Sequence, residues 1–175
     1  VDAVVNAANN RLTDIENNRQ SNHLRLIDNV NLNGIKDTYK VIYTGTFEGN
    51  GLTMSGISLD AVTNDLATFG LFGKTEYATI RNINFEVGNI NSTARYVGGI
   101  AGIAINTSFV DVKVNSSDIN AVIKGANLVG GFVGLNVVND PKVENYNLYS
   151  SVSVTANFHN QQTDIGAKAF GSGKE

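Results

Sequence analysis

The sequence predicts an all-β fold: a right-handed parallel β-helix of about five coils, with a short helix capping its N-terminal end. Three observations predict it. First, an apolar residue followed three and then five positions later by two more occurs five times, at Ile27/Val30/Leu32, Met54/Ile57/Leu59, Ile80/Ile83/Phe85, Phe109/Val112/Val114 and Val143/Tyr146/Leu148. Second, the copies begin 27, 26, 29 and 34 residues apart, and repeats at such a period are the signature of a solenoid. Third, a glycine motif runs in the same phase: Gly70-Leu71-Phe72-Gly73, Gly99-Ile100-Ala101-Gly102 and Gly131-Phe132-Val133-Gly134 align on their last glycine, 29 and then 32 residues apart.

Each part of a coil has a reason in its residues. A strand alternates with period two, so a spacing of three between inward residues needs one extra residue and a bend. The bend positions are Asn29, Gly56, Asn82, Asp111 and Asn145, the residue types that most readily accept a left-handed backbone. A positive φ is therefore expected at all five. The residue between the last two apolar positions is always polar (Asn31, Ser58, Asn84, Lys113 and Asn147), as an outward strand position should be. In the glycine motif Leu71, Ile100 and Phe132 each follow a glycine, which suits an interior where a neighbouring backbone comes close. The prediction for register is that Ile80, Ile83 and Phe85 stack on Phe109, Val112 and Val114.

The ends differ from the middle. In residues 1–20, Val4, Val5, Ala8, Leu12 and Ile15 fall near helical spacing behind Asp2 as a candidate N-cap; a helix there would cover the first coil. Residues 21–155 hold the repeats. Residues 156–175 read as a degenerate last coil or tail, with Ile165-Gly166-Ala167-Lys168-Ala169-Phe170-Gly171 as a worn glycine motif. The chain starts at Val1 without a secretory signal, and the expectation is that it continues in a longer parent protein.

Composition narrows the function classes. Hydrophobic residues make up 42% and charged ones 17%, which excludes a disordered chain. The net charge of −3 and the absence of a basic cluster argue against nucleic acid. With no Cys there is neither a disulfide frame nor a thiolate metal site. No apolar run approaches the roughly 20 residues of a membrane span.

From Tyr43-Thr44-Gly45-Thr46-Phe47-Glu48-Gly49-Asn50-Gly51-Leu52-Thr53-Met54, through Gly70-Leu71-Phe72-Gly73, to Ile80-Arg81-Asn82-Ile83, the chain resembles the GLUG-type repeat region of bacterial surface proteins. Glu48 stands where the family usually has Asp, and Leu52 where it has His. Leu24 to Leu32 is similar to the family's lead-in segment, and the likeness covers about residues 20 to 154. Such repeats occur in large secreted or wall-anchored adhesins and beside the catalytic part of immunoglobulin-A-cleaving zinc metallopeptidases. The resemblance implies an extracellular or cell-surface β-helical segment without catalytic residues of its own.

No catalytic, cofactor-binding or metal residue is assigned, and no cofactor is expected. Zinc hydrolysis needs two His one helical turn apart with a Glu base, but His23 and His159 are distant in sequence and lie in no such motif. Glycan-cleaving β-helices need gathered carboxylates; Thr63-Asn64-Asp65 is only a scrambled fragment of one such motif, and Asp60, Glu86, Asp111 and Asp118 are spread over different coils. Gly171-Ser172-Gly173-Lys174 reads as a tail rather than a phosphate loop. Asn91, Asn106 and Asn115 head formal glycosylation triplets but read as turn residues. Asn29, Asn82 and Asn145 read as a structural ladder bonding neighbouring backbones. Tyr77, Tyr96, Tyr149 and Phe158 fall outside the inward register, where they could stack on sugars or a peptide.

The expectation is a non-catalytic stalk or adhesive module of a secreted or surface-attached bacterial protein, binding a host or matrix protein or glycan, with flanking domains on the same polypeptide. An accessory domain of a large secreted zinc metallopeptidase is the alternative, and a polysaccharide lyase or hydrolase a more distant one.

Overall fold

The computed structural model describes residues 19–33, 35, 37–61, 67–158 and 161–167. Among them there is no helix, and the strands form three sheets. The first contains β1 (Arg19–Gln20), β4 (Ile42–Tyr43), β7 (Phe72–Glu76), β10 (Ala101–Ile105) and β14 (Val133–Val137), each beside the next. A small second sheet holds β6 (Thr68–Phe69), β9 (Tyr96–Gly98) and β13 (Leu128–Gly130). The third bends around a corner at Asn82 and its neighbours in the stack. Against the two flanks of that corner it stacks β2 (Leu24–Arg25) before it and β3 (Val30–Asn31) after it, then β5 (Thr46–Ala61), β8 (Thr79–Ser92), β11 (Ser108–Ser116) and β15 (Asn145–Ser150). Further along the chain, the end of β8 pairs with β12 (Val122–Gly125), followed by β16 (Ser153–Phe158) and β17 (Gln161–Ala167).

The chain visits small sheet, first sheet and bent sheet in order, then returns one layer along the stack. All pairs are parallel except β16 with β17, which folds back antiparallel and covers the edge of β16. About three turns are complete, one for each strand of the small sheet, rather than five. A corner motif marks one wall and not a whole turn: the first turn has only two-residue strands at β1 to β3, and no small-sheet strand precedes β6 among the described residues. Of the predicted capping segment, residues 1–18 lie outside the described residues, while Arg19–Gln20 is already strand β1.

The central register is as predicted, with Ile80 beside Phe109, Ile83 beside Val112 and Phe85 beside Val114, all buried. The outer copies differ. In the last turn Phe109, Val112 and Val114 pair with Asn145, Leu148 and Ser150, so the copy read as Val143/Tyr146/Leu148 sits two residues further on. The slip moves the bend from Asn145 to Asn147, which leaves Leu148 inward and turns Tyr146 outward; both bend positions are Asn, so residue type alone cannot detect it. The longer loop around Asn139-Asp140-Pro141 absorbs the shift.

In β5, Met54 faces Phe85 instead of Ile80, because Phe47 occupies the Ile80 column. In the first turn Val30 and Leu32 are buried but Ile27 is 77% exposed, and Leu26 takes the interior place.

Positive φ occurs at Gly56, Asn82 and Asp111 as expected, but at Asn147 rather than Asn145, and not at Asn29. Gly56 makes a separate bulge within β5. The true partner of the Asn82 bend is Gly49-Asn50-Gly51, where three residues oppose one, with φ of 54° at Asn50 and 74° at Gly51.

The interior explains the glycine motif. Gly73, Gly102 and Gly134 are in register, and the amide of Ile100 donates to Phe132 O at 2.8 Å. A Cβ on Gly99 would lie 2.3 Å from Gly131 O, and one on Gly102 2.5 Å from the Phe69 amide nitrogen. Backbone against backbone packs the first and small sheets together, leaving no room for a side chain. Aromatic rings fill the wider part of the core: Tyr43 stacks on Phe72 with centroids 5.1 Å apart, and Phe109 meets Phe132 edge-on at 6.0 Å. The buried Tyr43 hydroxyl donates to Asn22 O at 2.8 Å, so its polar end is satisfied.

Candidate functional site

The bent sheet's outer surface carries the densest arrangement of polar side chains. Its corner is a row of left-handed residues, Asn50, Asn82, Asp111 and Asn147, one per turn. One flanking row runs Arg25, Glu48, Arg81, Val110 and Tyr146. The other runs Thr53, Asn84, Lys113 and Tyr149. A cleft of about 350 Å³ follows the corner between Glu48 and Lys113.

Glu48 is the hub of this surface. Its Oε2 accepts from the Asn50 amide at 2.7 Å, while Oε1 accepts from Arg81 Nε at 2.9 Å and Asn82 Nδ2 at 3.1 Å. Burial pushes the carboxyl up, but the Asn50 amide, the Asn82 and Arg81 hydrogen bonds and the Arg81 charge outweigh it and hold Glu48 below its ordinary value. One turn further, Asn147 Nδ2 donates to Asp111 Oδ1. Beside them Asn84 Nδ2 donates to Thr53 Oγ1 at 3.3 Å, and Asn115 Nδ2 to Asn84 Oδ1. Side chains on successive turns thus tie the wall together along the stack.

The predicted asparagine ladder is present in altered form. Asn29 Oδ1 accepts from the Thr53 amide at 2.9 Å and Asn145 Oδ1 from the Phe109 amide at 3.0 Å, whereas Asn82 bonds the Glu48 side chain. Asn106 is a buried turn residue with φ 46°; its Oδ1 accepts from the amides of Asn139 and Asp140 at 2.9 and 3.0 Å. Asn91 is exposed and donates to Asp60 Oδ1 at 3.5 Å.

The remaining candidates stay apart. His23 is exposed, and its Nδ1 accepts from the Thr46 amide at 3.1 Å, joining two turns. His159 and Thr63-Asn64-Asp65 fall outside the described residues. Asp118 binds the Asn120 amide of its own turn at 2.7 Å, and Glu86 is half-buried on β8. Among the described residues, no three of His, Asp and Glu gather where they could hold a metal ion.

Of the predicted outward aromatics, Tyr77 and Tyr149 are exposed and Tyr96 is half-buried; the Phe158 side chain falls outside the described environments. Tyr146, read from sequence as an inward residue, is 54% exposed and stands in the Glu48 row. Residue type could not have found it, since Asn145 and Asn147 are equally able to take the bend; only the register, shifted by the longer loop, puts it at Asn147. No protein-family model, no curated protein and no solved structure matches the chain.

Proposed function

We propose that this chain is a non-catalytic segment of a secreted or surface-attached bacterial protein, a stalk or adhesive module that presents its outer wall to a host or matrix ligand. The observation that supports this reading most is the state of the corner carboxylates. Glu48 accepts three hydrogen bonds and is held ionised, and Asp111 is fixed by Asn147. Glycan cleavage requires a carboxylic acid whose pKa is raised so that it can donate a proton. Glu48, held in the ionised form, does not fit the role of that acid. Its bonds, like those of Asn84 and Asn115, serve to stiffen one turn against the next, as a spacer or display surface needs.

The GLUG-type assignment belongs to this proposal and is supported by the motif order from Tyr43 to Ile83. So does a right-handed winding, the sense that strand twist favours for parallel crossovers. The test is binding of the immobilised chain to matrix proteins and a glycan array, alongside a turnover assay on pectin-like polymers. Saturable binding without turnover is expected. Turnover abolished by Glu48→Gln or Asp111→Asn would overturn the proposal.

A further inference from the structure

We infer that the corner of the bent sheet is a binding strip for a neutral or weakly charged oligosaccharide, with Tyr146 and Tyr149 as its stacking platforms. This rests on the adhesive reading above and gives it a ligand class and a location. The two tyrosines flank the Asn147 bend, 54% and 56% exposed, and neither hydroxyl has a hydrogen-bond partner among the described residues. They continue the two rows that border the corner cleft, Tyr146 beside Val110 and Tyr149 beside Lys113. Lys113 lines the cleft and makes no ion pair among the described residues. A ring face next to amides, a carboxylate and an ammonium suits a ligand with apolar C–H faces and hydroxyl edges.

Other ligand classes fit less well. A peptide that adds a strand pairs backbone to backbone at an open sheet edge. Among the described residues β15 is such an edge, but a strand added there would not use the ring faces of Tyr146 and Tyr149 or the cleft. The cleft lies on the sheet face, where β8 and β11 are paired on both sides. A protein partner needs a desolvated pocket for an aromatic or Arg anchor, whereas this cleft is open and walled by Glu48, Asn82, Asn84 and Asp111. Nucleic acid and highly sulfated chains need a net positive surface, but Arg81 is matched by Glu48 and Lys113 has Asp111 in the same cleft. Charge balance therefore selects a ligand of little net charge. The turns also repeat every ~4.8 Å, close to the advance of one pyranose ring in an extended β-linked chain, so successive rungs can meet successive sugars.

The experiment titrates the chain with neutral hexasaccharides (cello-, manno- and chito-oligosaccharides), with a heparin-derived hexasaccharide, and with matrix proteins. Binding is measured by calorimetry and by tyrosine NMR signals. At least one neutral series should bind, and Tyr146→Ala with Tyr149→Ala should weaken it about tenfold or more without changing the melting temperature. Asn84→Ala with Lys113→Ala should also weaken it, and Tyr77→Ala, at another corner, should not. Neutral-sugar binding that survives the double tyrosine change would overturn the inference. Binding only to heparin fragments or only to matrix proteins would overturn it while leaving the adhesive reading intact. Binding to none of these probes would remove both.

Discussion

Asn82 has φ 53° and donates from its side chain to Glu48; these two properties can be separated by substitution. Asn82→Val forces a β-branched residue into a left-handed conformation, and a loss of on the order of 1–2 kcal/mol is expected from denaturant unfolding. Asn82→Gly keeps the bend and loses only the hydrogen bond, so it should cost clearly less. Equal losses would show that the bond, not the bend, matters at the corner.

Glu48 makes stability depend on pH. Its folded-state pKa lies below the unfolded value, so its contribution is fully present above the unfolded value and is lost as pH falls through the folded one. Urea midpoints measured at decreasing pH should fall in this acid range, and Glu48→Gln should flatten that part of the profile. At the residue scale the expected left-handed backbone occurs at Gly56, Asn82 and Asp111 but not at Asn29 or Asn145, where Asn147 takes the bend. The sequence was a poor guide at Ile27 and Tyr146, which look like core residues and are exposed because turn length sets which face they take.

Between elements, the crossing of the first and small sheets is set by glycine. Gly102→Ala would place a Cβ 2.5 Å from the Phe69 nitrogen, and backbone cannot move aside as a flexible side chain can. A loss on the order of 3 kcal/mol is expected. Gly51→Ala meets nothing within 4 Å and should lose only about 1 kcal/mol, from its positive φ. Thermal or urea unfolding of the two variants side by side checks the ranking. Phe132→Ala removes the ring that meets Phe109 edge-on, with an expected cost of about 3–5 kcal/mol. These contacts were legible because the glycine motif keeps its spacing through β7, β10 and β14. The corner register was legible only between β8 and β11, where the copies lie 29 residues apart with no insertion. Elsewhere two apolar triplets compete within β5, and a loop insertion shifts β15 by two residues, moving the bend from one Asn to another, Asn145 to Asn147, and with it the face of Tyr146.

Across the whole molecule, five corner copies did not mean five turns, since a turn needs all three walls and the first two layers, β1 to β3 and β4 with β5, have no small-sheet strand among the described residues. The polar strip was hidden for a related reason. Glu48, Asn82, Asp111 and Tyr146 belong to different turns and meet only once the register is known, so no local motif announces them. Successive turns stack in parallel, with Asn84, Lys113 and Tyr149 in one row. Because the chain has no Cys, engineered pairs report on this row without interference. Under mild oxidation, N84C/K113C and K113C/Y149C should each form an intramolecular disulfide, their backbones lying ~4.8 Å apart. N84C/Y149C, two turns apart at roughly 9.6 Å, should stay reduced. Crosslinking of N84C/Y149C in preference to the two adjacent pairs would contradict the stacked register.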